Sequence, residues 1–278
     1  MTRPLRSLLL GLLALALALA LPAAFAAEAG AGSASKDRLA LILESGELRV
    51  GLSGDQAPFN MKNKQGELIG MEVDLVNALA EAMGLRAILV AMPFAELLPA
   101  LEKGKLDMVI SNMTITPERN ARVPFAGPYF ISGKSVLTKS ETIANVENTA
   151  ALDDPKHRFA ALAGSTSEKF VKEMLPNSIL VPTKDSAVGV QMVIDDEVDA
   201  LVADFPTCAV AVARHPEAGL SALMSPLTVE PLGIALPPNS PLLVNLVENY
   251  LETLEYTGLL MRFKARWLSD TSWISELP

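Results

Sequence analysis

Apolar positions recur along this chain in two rhythms. Val73, Val76, Leu79 and Met83 are spaced as on one face of a helix, which is predicted from about Glu72 to Met83 and stopped by Gly84. Leu97, Leu98 and Leu101 mark a second helix over about 95–103. Short apolar runs separate the helices: Glu47 to Leu52, Ala87 to Val90 and Lys105 to Ile110 read as strands. The same alternation restarts after Leu137, with strands at His157 to Leu162, Ile179 to Val181 and Val198 to Ala203. Helices follow Gly164-Ser165-Thr166-Ser167, span Asp185 to Ile194 and begin after Pro206. The ending differs: Glu230 to Ala235 is extended, and Pro241 to Trp267 forms one or two long amphipathic helices. Strands and helices of these lengths in alternation predict an α/β protein of two lobes, each a mainly parallel sheet flanked by helices. Ligands of open α/β sheets lie beyond the carboxyl ends of the strands, here the loops after Leu52, Ile110, Leu162 and Ala203.

The N-terminus has a different pattern. Arg3 and Arg6 precede an unbroken apolar run from Leu8 to Leu21, and Ala24-Phe25-Ala26 fits a cleavage site. Residues 1–26 therefore read as a secretory signal peptide, with an uncleaved anchor as the alternative. No cysteine follows the run, so no lipid anchor is expected, and no second long apolar segment predicts insertion in a membrane. An Ala-, Gly- and Ser-rich stretch opens the mature chain, and residues 27–44 are expected to form a flexible lead-in. Losing Arg3 and Arg6 takes the formal charge from −9 to −11, which disfavours nucleic acid and anionic membrane surfaces as partners. Cys208 is the only cysteine, so no internal disulfide forms.

The chemistry concentrates in Ser111-Asn112-Met113-Thr114-Ile115-Thr116-Pro117-Glu118-Arg119. Thr116 is a natural N-cap and Pro117 suits the first helical position, which places Arg119 in the first turn beside a polar loop. Hydroxyls, backbone N–H groups and a guanidinium then converge as a carboxylate grip, the alternative being an ordinary capped helix with a surface arginine. Gly164-Ser165-Thr166-Ser167-Glu168 reads either as an anion nest or as a plain N-cap with a capping box. Asp204, ending a buried strand, either holds an ammonium group or caps the next helix. Phe94 is a pocket wall or a core ring. No G-x-S-x-G elbow is present, His157 and His215 are isolated, and Gly133-Lys134-Ser135 fails as a P-loop because position 128 is Pro128. Neither an enzyme, a metal site nor a cofactor is expected from these signals.

Several motifs recur in order: Leu48-Arg49-Val50-Gly51, Ala57-Pro58-Phe59, Gly66-Glu67-Leu68-Ile69-Gly70-Met71-Glu72-Val73-Asp74-Leu75, Leu98-Pro99-Ala100-Leu101 and Thr114-Ile115-Thr116-Pro117-Glu118-Arg119. Gly164-Ser165-Thr166, Val198-Asp199-Ala200 with Asp204, and Gly233-Ile234-Ala235 follow. This ordered set, from Leu48 to Trp267, resembles the periplasmic amino-acid-binding proteins of ABC importers (bacterial solute-binding protein family 3), among them histidine- and glutamine-binding proteins. The resemblance implies a two-lobed, type II periplasmic-binding-protein-like fold joined by two hinge strands near Ser132 to Ser135 and Leu227 to Pro231. Lobe 1 would span 45–132 and 230–278, and lobe 2 would span 133–229.

It further implies that an amino acid is clamped between the lobes. Arg119 would hold the α-carboxylate with Thr114 and the backbone N–H of Thr166, beside Ser165. Asp204 would hold the α-ammonium, with Ser111 and Met113 adding contacts and Phe94 packing on the ligand side chain. Relatives usually carry an aromatic where this chain has Gln56 and often an acid where it has Ser53; Asp55 stands two residues further on. A polar or neutral amino acid is the expected ligand. The implied protein is a periplasmic monomer that docks on a membrane ABC permease. Two rivals remain: a cyclohexadienyl-dehydratase-like enzyme on the same scaffold, with Asp55 or Glu168 as its acid, and a ligand-sensing partner of a membrane receptor.

Overall fold

The computed structural model describes residues 37–146, 148–223 and 225–278; the expected signal peptide and residues 27–36 lie outside the described residues. The unit Asp37–Pro278 contains two five-stranded sheets and one of three strands.

The chain enters through helix α1 (Arg38–Ser45), whose first turn is capped by the Asp37 carboxylate accepting from the Leu39 N–H at 2.8 Å. Ile42 is buried, and Arg38 lies 2.6 Å from the buried Asp107 carboxylate, which Arg49 also grips at 3.0 Å. The expected lead-in through residue 44 is therefore corrected: from Arg38 the chain is helical and anchored. A carboxylate shared by two guanidiniums ties this short helix to the first sheet.

In the first lobe, β1 (Glu47–Leu52) pairs in parallel with β5 (Arg86–Ala91) and β6 (Met108–Val109). Between them come a small antiparallel sheet of β2 (Asp55–Gln56), β3 (Asn60–Lys62) and β4 (Leu68–Ile69), and helix α2 (Met71–Ala82). Helix α3 (Phe94–Glu102) follows β5. Side chains pack tightly over Gly51 of β1, where a Cβ would collide with Leu106 Cδ1 and lie 3.0 Å from Leu97 Cδ2 of α3, so a larger residue would have to push both leucines aside. The β6 ladder is shorter than its apolar run, but Asp107 N–H to Arg49 O and Ile110 N–H to Gly51 O prolong the pairing at both ends. A short helix α4 (Pro117–Asn120) leads to β7 (Phe125–Ser132) at the sheet edge.

The chain crosses at Gly133 into the second lobe. There β8 (Lys134–Thr138), α5 (Glu141–Ala144), β9 (Arg158–Leu162), α6 (Thr166–Met174), β10 (Ile179–Thr183), α7 (Ser186–Ile194), β11 (Ala200–Asp204), α8 (Phe205–Arg214) and β12 (Ser221–Ala222) follow. Strands β10, β9 and β11 are parallel, while β8 runs against β11 and β12 against β8. The return strand β13 (Glu230–Ala235) rejoins the first sheet between β6 and β7, antiparallel to both. Helices α9 (Pro241–Tyr256) and α10 (Leu259–Lys264) then close the first lobe, with Trp267 and Trp273 buried. Strand residues are buried beneath the helices, with Leu48 and Val50 of β1 in one core with Leu79 of α2 in lobe 1, and Val136, Phe159 and Val202 in a core of lobe 2. The carboxyl ends of β1 and β6 therefore face those of β9 and β11 across a cleft. Among the described residues no helix is long and apolar enough to cross a membrane.

Candidate functional site

The loop after β6 is shaped by a buried carboxylate beneath it. Glu72, at the start of α2, is fully buried and accepts hydrogen bonds from the Asn112 backbone N–H at 2.6 Å, Asn60 Nδ2 at 2.6 Å and the Tyr129 hydroxyl. Burial pushes its carboxyl up to about 7, against the pull of those three donors. Asn112 adopts φ 49°, a left-handed conformation that asparagine tolerates better than most residues. Its side chain is thereby turned into the cleft, where Nδ2 donates to Gln56 Oε1 at 3.0 Å and Asp204 Oδ2 at 2.7 Å. The other amide atom, Asn112 Oδ1, is buried with no hydrogen-bond partner.

Thr116 caps α4 by accepting from the Arg119 N–H, with Pro117 at the first helical position. This directs the Arg119 guanidinium over the Phe94 ring, 5.5 Å from its centroid, with Nη1 donating to Thr114 O at 2.8 Å and Nη2 to Gly164 O at 3.2 Å. Those acceptors are carbonyls; among the described residues no carboxylate lies within ion-pair distance of Arg119. Burial pushes its pKa down, with Glu230 and Asp204 acting in the opposite sense from further off.

Two carboxylates share one ammonium deeper in the cleft. Lys134 Nζ lies 3.0 Å from Asp204 Oδ1 and 3.6 Å from Glu230 Oε2, and all three residues are buried. Glu230 also accepts from the hydroxyls of Thr114 at 2.7 Å, Thr166 at 3.1 Å and Thr228 at 2.9 Å. Burial pushes the Glu230 carboxyl up, but Lys134 and these hydroxyls outweigh it and hold it below its ordinary value. Thr114 and Thr166, from opposite lobes, approach to 3.2 Å. At the rim, Glu118 and Lys169 pair across the lobes at 2.5 Å, an exposed contact of small energetic weight.

Between these groups remains a cavity of about 20 Å³, space for about one water. Of the residues singled out from sequence, Gln56, Phe94, Arg119, Ser165, Thr166 and Asp204 line it. Thr114 stands behind, bonded to Glu230. Asp204 precedes α8 but makes no side-chain cap, so its carboxylate serves the cleft and not the helix. Ser165 does act as a cap, accepting from the N–H groups of Ser167 and Glu168, while its hydroxyl donates to Leu162 O; its side chain is committed inside the lobe. The capping box differs from expectation, since Glu168 accepts from the Gly164 N–H.

Three expected contacts do not reach this cavity. Ser111 is turned inward, accepting from the Ser53 N–H at 2.9 Å. Met113 packs in the core, its carbonyl taken by the Gly233 N–H. Asp55 reaches across the lobes instead, accepting from the Ser186 N–H at the start of α7 at 2.7 Å, and faces a neighbouring hollow. The sequence reading in turn missed Glu72, Asn112, Lys134 and Glu230. Asn112 stood within the motif that drew attention, and Lys134 opens a strand that is buried throughout, a costly place for an ammonium unless paired. No local signal marks Glu230. Among the described residues no cluster of three or more His, Cys, Asp or Glu is placed to hold a metal ion.

Comparison with known proteins agrees with this layout. A profile of the bacterial extracellular solute-binding proteins, family 3, matches residues 48–270. Cyclohexadienyl dehydratase of Pseudomonas aeruginosa is 27% identical over 233 residues, covering 84% of this chain and 87% of that protein. The glutamine-binding protein of an ABC transporter from Bacillus subtilis is 27% identical over 240 residues, covering 84% and 86%. Among solved structures, an ancestral amino-acid-binding protein, itself a precursor of cyclohexadienyl dehydratase, is 33% identical with a TM-score of 0.76, covering 83% of this chain and 99% of its own. With its two lobes, crossing strands and cleft, the chain belongs to the bacterial extracellular solute-binding proteins, family 3.

Proposed function

We propose that the cleft captures a free amino acid and that the loaded, monomeric protein delivers it in the periplasm to a membrane ABC permease. The observation that carries this reading is a pair of unmatched charges facing one cavity. Among the described residues Arg119 has no carboxylate within ion-pair distance, while Asp204 and Glu230 share the ammonium of Lys134. A zwitterion supplies both missing charges at once, and its ammonium adds a donor for the orphaned Asn112 Oδ1. The ligand carboxylate would lie on Arg119, with the Thr166 N–H, unpaired by the geometry of a helix N-terminus, as its second donor. The ligand would first engage Arg119 and Thr114 on lobe 1, and closure would then add Thr166 and Asp204, so that binding stabilises the closed form.

The test is a thermal-shift screen of unfolded and refolded, ligand-stripped protein against the proteinogenic amino acids. A ligand at 100 times its Kd stabilises by about 2.7 kcal/mol, a clear shift in melting temperature. A shift with one or a few amino acids names the ligand; none with any of them overturns the reading.

Likeness to a cyclohexadienyl dehydratase makes catalysis the second reading. The geometry supports it less well. Dehydration needs a protonated acid at the substrate, whereas Glu168 accepts from the Gly164 N–H and pairs with Lys172 at 2.8 Å. Burial raises its carboxyl, but Lys172 and the Gly164 N–H together hold it below its ordinary value. Burial does raise the carboxyl of Asp55, the other candidate acid, but Asp55 accepts from the Ser186 N–H and does not line this cavity. Incubation with prephenate, followed spectroscopically, separates the two readings.

A further inference from the structure

We propose that Lys134 is a built-in competitor for the ligand's ammonium group, holding Asp204 until a ligand displaces it onto Glu230. This rests on the amino-acid-binding reading and goes beyond it, by naming the residue that sets how strongly the site demands an ammonium.

Three observations carry the argument. The first is space: with the lobes as they stand, a cavity of about 20 Å³ cannot hold an amino acid, so a loaded closed form needs side chains in it to move or the lobes to stand further apart. The second is where Lys134 can go. Its backbone is fixed, paired in register with Asp204 between β8 and β11, with its N–H donating to Thr228 Oγ1 and its carbonyl accepting from the Leu227 N–H. Only the flexible four-carbon stem is free to swing. A buried ammonium needs an anion throughout, and Glu230 Oε2 already lies 3.6 Å from Nζ. The third is charge: Asp204 and Glu230 together accommodate two ammoniums but face one. A ligand ammonium on Asp204 and Lys134 on Glu230 completes the set.

The displacement also links the lobes. Lys134 is the first residue after the outgoing crossing and Glu230 stands at the returning one, so their pairing tightens the two crossing strands when the ligand enters. A carboxylate without an amino group has nothing to exchange and leaves Lys134 on Asp204.

The test compares the amino acid giving the largest thermal shift with the corresponding carboxylic acid lacking the amino group, by isothermal titration, on wild type and Lys134→Met. Removing the competitor should raise the preference for the amino acid over its des-amino analogue by about tenfold or more, because two carboxylates then face the ligand ammonium alone. An unchanged or smaller preference overturns the proposal. Should Lys134→Met not fold, a crystal structure of the wild-type complex decides: Lys134 within ion-pair distance of Glu230 and the ligand ammonium on Asp204 supports it, and Lys134 still on Asp204 overturns it. If wild type binds an amino acid but either result is negative, this inference alone falls. If wild type binds none, the functional reading falls with it.

Discussion

Asn112 of the first lobe donates through Nδ2 to Asp204 Oδ2 of the second at 2.7 Å, a charge-assisted hydrogen bond that crosses the cleft. It orients the carboxylate and closes one side of the cavity. Asn112→Gly keeps the φ of 49° accessible while removing the donor. Hydrogen bonds to charged groups contribute about 1.5–3 kcal/mol, so amino-acid affinity should fall roughly 10- to 100-fold in a titration. Circular dichroism should show the fold retained. Unaltered affinity in a folded variant would remove Asn112 from the site.

Arg119 is held by two carbonyls and the Phe94 ring, and it lines the same cavity as Thr166. Arg119→Ala should cost about 3–5 kcal/mol of binding, since a desolvated ligand carboxylate would lose its counter-ion. Arg119→Lys should recover only part, because a point charge replaces a forked donor and the flat contact with Phe94 is lost. Titration with the amino acid found by thermal shift measures both. Near-normal binding by folded Arg119→Ala would show that the carboxylate lies elsewhere.

Residues whose environment is local were legible in the sequence. Thr116, Pro117 and Arg119 carry their geometry in four consecutive positions, and the capping preferences of Thr and Pro suffice to place the guanidinium. Ser165 was legible as a cap for the same reason, although capping also commits the hydroxyl of this cavity-lining residue to its own lobe. Glu230 and Lys134 are separated by almost a whole lobe in sequence and meet only because the two crossing strands lie side by side. Glu72 looked like an acid in the first turn of an amphipathic helix, and only the packing of β7 over it brings the Tyr129 hydroxyl to its carboxylate. Helix α1 was missed because the composition of the preceding stretch was extended over it; its anchor, Asp107, lies 69 residues from Arg38.

Gly164 has φ +75°, and a Cβ there would lie 3.0 Å from Ala95 Cβ in the opposite lobe. Gly164→Ala should therefore act twice: about 1–2 kcal/mol of backbone strain lowers the stability of the fold whether the lobes are open or closed, and the contact opposes closure. Ligand affinity should drop about tenfold or more. Adding Ala95→Gly should restore the affinity lost through the contact and leave the loss of fold stability, which urea unfolding reads separately. Titration of wild type, both single variants and the pair gives the split. A double variant no better than Gly164→Ala would mean that the lobes do not approach this closely when loaded.

Glu72 makes stability depend on pH with a defined sign. Burial raises its carboxyl from 4.5 to about 7 in the folded protein, so the folded state binds this proton more tightly than the unfolded chain does. Its contribution is most favourable below the unfolded value, declines as pH rises from about 4.5 to 7, and levels off above. The shift corresponds to a decline of about 3 kcal/mol at most. Glu72→Gln removes the titration while keeping the volume, although its amide meets donors at Asn60 and Asn112 and should lower stability overall. Urea unfolding of both proteins at pH 5, 6, 7 and 8 isolates the effect: the stability gap between wild type and Glu72→Gln should narrow with rising pH. Parallel curves would mean that Glu72 is ionised throughout. In that case the three donors, and not the surrounding core, would set its charge and fix the loop carrying Asn112.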